Sequence, residues 1–262
     1  MKHTTCLLAA ACGALVTAAL PAVCAAAETQ PEVQVEFRYF APKVSGSVKG
    51  DDYYTARDDS NKLDLKDDLG IDKGHAPEVL VRYGKWRIDY MHLSSSKDGY
   101  YSGYPMRHKS HFYKGNLDTD LDFDSLSLDW QQDISRDEQQ QVYWTAGLRY
   151  MREAADCTGD VYGSINDERD TDSDSASGIV PTVGIGGVWQ MGSKGSLQGR
   201  LSGMPLGSHG HVFDVELGGV YSLARDWQIT AGWRYLNLKL KKDDKTAEYK
   251  GSGPYVGVAY SF

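Results

Sequence analysis

Pro254-Tyr255-Val256-Gly257-Val258-Ala259-Tyr260-Ser261-Phe262 alternates from end to end. Pro254, Val256, Val258, Tyr260 and Phe262 share one face, and Gly257, Ala259 and Ser261 share the other. A period of two is a strand with two unlike faces. One face is greasy, the other small and tolerant of polar neighbours. A strand in water seldom finishes on an exposed phenylalanine. A strand whose outer side meets lipid places an aromatic at the bilayer edge naturally.

The other end of the chain agrees. Lys2 and His3 precede a run from Cys6 to Leu20 made almost entirely of Leu, Ala, Val and Cys. Ala25-Ala26-Ala27 then supplies small residues before Glu28. Basic start, short apolar core and small-residue cleavage site read as a secretory signal over residues 1–27. Residues 28–262 are left as a single domain, within ordinary single-domain length.

Composition narrows the class. Mean hydropathy is −0.48, and no later segment approaches the roughly eighteen apolar residues of a transmembrane helix. The 28 Gly and 17 Tyr favour a turn-rich β chain. Cys6, Cys12 and Cys24 fall in the leader, leaving Cys157, so neither a disulfide framework nor a cysteine metal site is available. No cofactor or metal is expected. A formal charge of −8 argues against a nucleic-acid partner.

About ten segments repeat the alternation. Val33, Val35, Phe37 and Tyr39 oppose Gln34, Glu36 and Arg38. Val79, Val81 and Tyr83 oppose Glu78 and Arg82, and Gly84-Lys85 turns the chain into Trp86, Ile88 and Tyr90 against Arg87 and Asp89. Leu126, Leu128 and Trp130 oppose Ser125, Ser127 and Asp129. Leu121 and Phe123 are one residue out of phase with them, which predicts a bulge or a register change near Asp124. Trp144 to Tyr150, Val183 to Trp189, Leu197 to Leu201, Phe213 to Leu223 and Trp227 to Tyr235 behave likewise, with Arg149, Arg200, Asp214, Glu216 and Arg234 opposite.

Connections alternate in length. Gly84-Lys85, Met191 to Ser196 and Ala224-Arg225-Asp226 are short, whereas 41–75, 95–115 and 153–178 read as long polar loops. The 131–140 turn is longer than the pattern prefers. Charges keep off the apolar face. An Arg or Lys on a lipid face at the midplane costs about 2–4 kcal/mol, so their absence is a physical demand. Trp86, Trp130, Trp144, Trp189 and Trp227 fall at the short-turn ends, and Tyr39, Tyr90, Tyr150 and Tyr235 toward the long-loop ends. Two such rows are expected at the two interfaces of a bilayer. A soluble β-sandwich also alternates, but it needs no aromatic banding and no loop-length rule.

The leader, the strand grammar and the closing Val256-Gly257-Val258-Ala259-Tyr260-Ser261-Phe262 resemble the small outer-membrane β-barrel proteins of double-membraned bacteria, the broad OmpA-like and OmpW-like group. The resemblance implies a closed antiparallel up-and-down barrel, with short periplasmic turns and long extracellular loops, bathed in lipid and lipopolysaccharide. It also implies handling by periplasmic chaperones and the barrel-assembly machinery. Val258, Tyr260 and Phe262 resemble the signal that machinery reads.

The inward set holds Arg38, Arg82, Arg87, Arg149, Arg200 and Arg234 with Glu36, Glu78, Asp89, Asp214 and Glu216. Buried charges must pair, so they either fill the lumen as a network or line a narrow polar channel. A non-enzymatic structural or porin-like barrel is the expectation. Three enzymatic or binding alternatives can be placed on residues. His92-Leu93-Ser94 resembles the His-x-Ser of lipid A deacylases, although His92 continues the outward face. His209 or His211 with Asp214 could form the Asp–His couple of omptin proteases. The acidic loops could serve an adhesin. Asp170-Thr171-Asp172-Ser173-Asp174 fails the EF-hand pattern at Ser175 and Pro181, where Gly and Glu are required. Cys157 is expected as a free thiol in that same loop.

Overall fold

A computed structural model describes residues 33–109, 111–161, 169–205, 207, 210–242 and 245–262. The expected leader and its cleavage site lie outside the described residues, as does His209. Thirteen strands follow in order: β1 (Val33–Phe40), β2 (Lys43–Lys49), β3 (Tyr53–Thr55), β4 (Lys62–Asp64), β5 (Ala76–Tyr83), β6 (Trp86–His108) and β7 (His111–Arg136). Then come β8 (Gln140–Val161), β9 (Arg169–Gln190), β10 (Gly195–Pro205), β11 (Gly210–Ser222), β12 (Trp227–Lys242) and β13 (Lys245–Ser261).

Ten of them, β1 and β5 to β13, make an antiparallel ring in which each strand pairs with the next. The ring closes where β1 meets β13, from Gln34↔Ser261 to Phe40↔Tyr255. Closure leaves no open edge, so the ladder satisfies the backbone groups that hydrocarbon could not. Gly84, at φ 57°, takes the left-handed conformation that a two-residue hairpin between Tyr83 and Trp86 needs.

Three expectations are corrected. Two of the long polar loops, 95–115 and 153–178, are mostly strand, and the third, 41–75, holds three short strands. Residues 95–108 continue β6, β7 starts at His111, β8 runs to Val161 and β9 resumes at Arg169. Within 41–75, β2 pairs with β13, β4 with β2, and β3 with the far end of β6. These short strands add wall beyond β1 and β5. The 131–140 turn shrinks to 137–139 because both flanking strands extend. At a rise of about 3.3 Å and a tilt near 40°, each residue adds roughly 2.5 Å of height. The 26 residues of β7 therefore far exceed an apolar band of about 25 Å.

The predicted bulge near Asp124 is absent. β7 keeps one register against β6 from Trp86↔Trp130 to Lys97↔Thr119, and against β8 from Leu117↔Gly159 to Asp133↔Tyr143. Its shifts lie nearer the strand ends, at Tyr113/Leu117 and Asp133/Ser135. What changes at Asp124 is the medium on each face. Leu126 and Asp124 point outward in succession, and Ser125 and Phe123 inward. The same exchange occurs at matching positions on other strands. On β8 the outer face passes from Tyr150 to Arg152 while the inner passes from Arg149 to Met151. On β12 Tyr235 gives way to Asn237 outside, and Arg234 to Leu236 inside. The barrel is thus two storeys. The lower one, by the short turns, is polar inside and apolar outside. The upper one is mainly apolar inside, although it also buries Asp68, His108, Thr119 and Asp172, and mainly polar outside.

Candidate functional site: the charged lumen

Alternation delivers one inward side chain every second residue, so each strand contributes charges at a fixed height. In the lower storey these side chains converge. Arg38 donates from Nε to Glu36 at 2.5 Å and from Nη1 to Glu216 at 3.1 Å. Arg87 reaches Asp89 and Glu216, both at 3.1 Å. Arg234 grips Asp214 at 2.7 and 2.9 Å and also donates to Glu78. Arg149 reaches Asp214 at 2.8 Å, and Arg82 reaches Glu36 at 3.2 Å. Thr230 donates to Glu36 at 2.6 Å.

Every inward charge named from the sequence is therefore inside the barrel and paired. Arg200 shows what was missed: its partner is Asp129, at 2.5 Å. Asp129 stands in phase with Ser125 and Ser127, so the alternation already placed it inward. With it, six arginines face six carboxylates (Glu36, Glu78, Asp89, Asp129, Asp214, Glu216). All but Arg82, whose side chain is 30% exposed, are nearly shielded from solvent. Charges removed from water need this balance, because an unpaired one leaves a desolvation cost of several kcal/mol. Oxygens of Glu78, Asp89 and Glu216 lie within 4.8 Å of one another, and Arg38, Arg87 and Arg234 supply the counter-charge between them.

Glycines make room for this filling. Gly218 and Gly232 face each other across β11 and β12, and a Cβ on either would strike the Tyr255 hydroxyl. A Cβ at Gly186 would strike the Tyr143 ring. Large rings and guanidiniums thus lie flat across the lumen. Arg38 sits 4.8 Å over the Tyr255 ring and Arg234 5.7 Å over that of Phe40.

Directly above the charges the lumen turns apolar. The next inward positions after Arg38, Asp89, Arg149, Asp214 and Arg234 are Phe40, Met91, Met151, Val212 and Leu236, each at most 2% exposed. Leu63, Leu65, Leu69 and Ile71 from the β2–β5 connection join this core. So does Cys157, which is on β8 and not in a loop. Burial pushes its thiol up to about 12.

The outer face carries the predicted aromatics. Trp86, Trp144, Trp189 and Trp227 are exposed, as are Tyr39, Tyr90 and Tyr235, while Trp130 and Tyr150 are half-buried. Trp130 packs edge-on to Trp144 at 5.3 Å. Tyr39 and Tyr90 aim their hydroxyls at His75 (2.5 Å) and Asp124 (3.1 Å), where the outer face becomes polar. Val258 on β13 and Phe262 just past its end are exposed, and Tyr260 lies between Trp227 and Phe262.

Of the enzymatic candidates, His92 lies on the outer wall, as its phase implied, bonded to Asp124 at 2.9 Å and with Ser94 two residues on along the same face. His211 points outward to Asn237 and Phe213, whereas Asp214 points inward, so they cannot couple. A different His–Asp contact exists near the upper rim. His111 holds Asp172 through Nδ1 at 3.1 Å and Asp170 through Nε2 at 3.3 Å. The expected acidic loop at 170–174 is part of β9, and Asp174 accepts from Tyr53 at 3.0 Å.

A closed ten-stranded antiparallel ring with a polar lumen and an aromatic-rich outer wall is the fold of an outer-membrane β-barrel. Solved structures that match include barrels of this class. The chain is similar to the outer membrane protease OmpT from Escherichia coli at 11% identity and a TM-score of 0.50, covering 87% of this chain and 97% of that one. Looser likenesses are the transport unit of the autotransporter AIDA-I from Escherichia coli (9%, TM-score 0.38, 97% of both chains) and Ail of Yersinia pestis (14%, 0.33, 89% and 100%). At these identities the likeness is one of fold. No protein-family model matches the chain, and no curated protein matches it.

Proposed function

We propose that this chain is a non-conducting structural barrel of the bacterial outer membrane, which holds its upper storey at the cell surface. One observation carries the reading: a charge-balanced arginine–carboxylate layer lies beneath an apolar layer, and both fill the lumen. An ion would have to break the first and then shed its hydration in the second. The lower outer wall meets lipid and lipopolysaccharide. The 1–27 leader exports the chain, and periplasmic chaperones and the barrel-assembly machinery receive it, the latter through Val258, Tyr260 and Phe262.

Planar-bilayer recording tests the reading. The refolded protein gives no stepwise current, and Arg87→Ala, which removes the ion-pair partner of Asp89 and one of two guanidiniums at 3.1 Å from Glu216, gives at most small leaks. Stable open-pore steps from the unaltered protein refute the seal and support a channel.

A second reading is a surface hydrolase acting on peptides, favoured by the His111–Asp172 couple near the rim. Cleavage of peptides by the refolded protein, abolished by His111→Ala, would establish it. An intact peptide pool after prolonged incubation dismisses it.

A further inference from the structure

We infer that the lower mouth of the barrel is a binding cup for a small hydroxylated carboxylate, of the sugar-acid class, entering from the short-turn side. The lumen does not end flush with its arginines. Below them is a cavity of about 290 Å³, near the small end of ligand sites. Its floor side opens between the short turns, and the charge network is its roof.

The walls have a composition that simple wetting does not require. Six strands each send one glutamine inward at this level: Gln34, Gln131, Gln141, Gln190, Gln198 and Gln228. A carboxamide donates and accepts at once, which matches hydroxyl groups. Ser193, Ser196 and Ser222 add hydroxyls between them.

The roof supplies the charge preference. Its carboxylates, Glu36 and Glu216, are already gripped by Arg38, Arg82 and Arg87. One guanidinium is open to the cup. Arg82 lines it with a side chain 30% exposed, whereas Arg200 is closed off between Asp129 and Glu216. A carboxylate is the acceptor that satisfies a guanidinium best. Lys194, in the β9–β10 turn, adds a cation at the mouth. An acid group against Arg82 and Lys194, with its hydroxyls among the glutamines, uses each of these features.

The test is calorimetric titration of the refolded, full-length barrel in detergent with sodium glucuronate, and with glucose and sodium acetate as separate arms. Glucuronate binds saturably at one site, and glucose and acetate each bind at least about tenfold more weakly, since each lacks half of the contacts. Ser196→Phe, which fills the cup, abolishes binding. Lys194→Gln, in a solvent-facing turn, weakens it about two- to fivefold. Heat-modifiable gel mobility confirms that both variants remain folded. Absence of glucuronate binding, equal binding of acetate, or binding untouched by Ser196→Phe would each overturn the inference.

Discussion

The two storeys obey opposite rules with the same strands. Below the switch, Arg149 is sealed inside and Leu148 faces out, 55% exposed. Two residues higher, Met151 is sealed inside and Arg152 faces out. No bulge or reversal intervenes on β8 at that height. Only the solvent changes. In hydrocarbon the apolar side chains belong on the outer wall and the lumen must neutralise its charges. In water the outer wall turns polar and the lumen becomes an ordinary core. The hydrophobic effect organises the upper storey. Ion pairing and closed backbone bonding organise the lower.

Substitutions that violate one storey's rule but not the other's test the contrast. The largest effect is expected from Arg234→Met, which removes the cation shared by Asp214 and Glu78 and leaves Glu78 with only Arg38, at 3.8 Å. Breaking a buried pair on one side costs on the order of 3–5 kcal/mol, measurable as a lowered urea midpoint in lipid vesicles. Leu148→Arg on the lower outer wall costs about 2–4 kcal/mol in the same assay. A value near zero would remove lipid from that wall. Cys157 reports on the upper core. With its thiol pushed up to about 12 and 2% exposed, alkylation at pH 8 runs more than about a hundredfold slower than in the unfolded chain. Fast labelling of the folded barrel would mean a wet upper lumen. The smallest effect is expected from Ser177→Arg, on the outer wall of β9 just above the switch, at under about 0.5 kcal/mol. If Ser177→Arg matched Leu148→Arg, the two walls would share one solvent and the contrast would fail.

How much was legible follows from the same division. The lower storey could be read residue by residue: Phe37, Trp86, Leu148 and Trp227 outward, Arg38, Arg87 and Arg234 inward. Even Asp129 was in phase and needed only to be counted. The upper storey could not be read that way, because an alternation rule with a fixed apolar face assumes one solvent along the strand. Leu121 and Phe123 keep perfect period two, yet they looked displaced because the apolar residues had moved to the other face. Ser-, Asp- and Gly-rich stretches such as 170–178 looked like loops because their outward positions are polar. Pairings such as Tyr53↔His108, over 50 residues apart in sequence, have no local signal. The glutamine cup was invisible for another reason: its six members sit on six strands and meet only after closure.

The most direct test uses the tryptophans, all six of which lie on the lower strands' outer side. In vesicles whose acyl chains carry bromine, their fluorescence is strongly quenched, while iodide in the water leaves it nearly unchanged. Strong iodide quenching with no response to brominated chains would place that wall in water and contradict the two-solvent account.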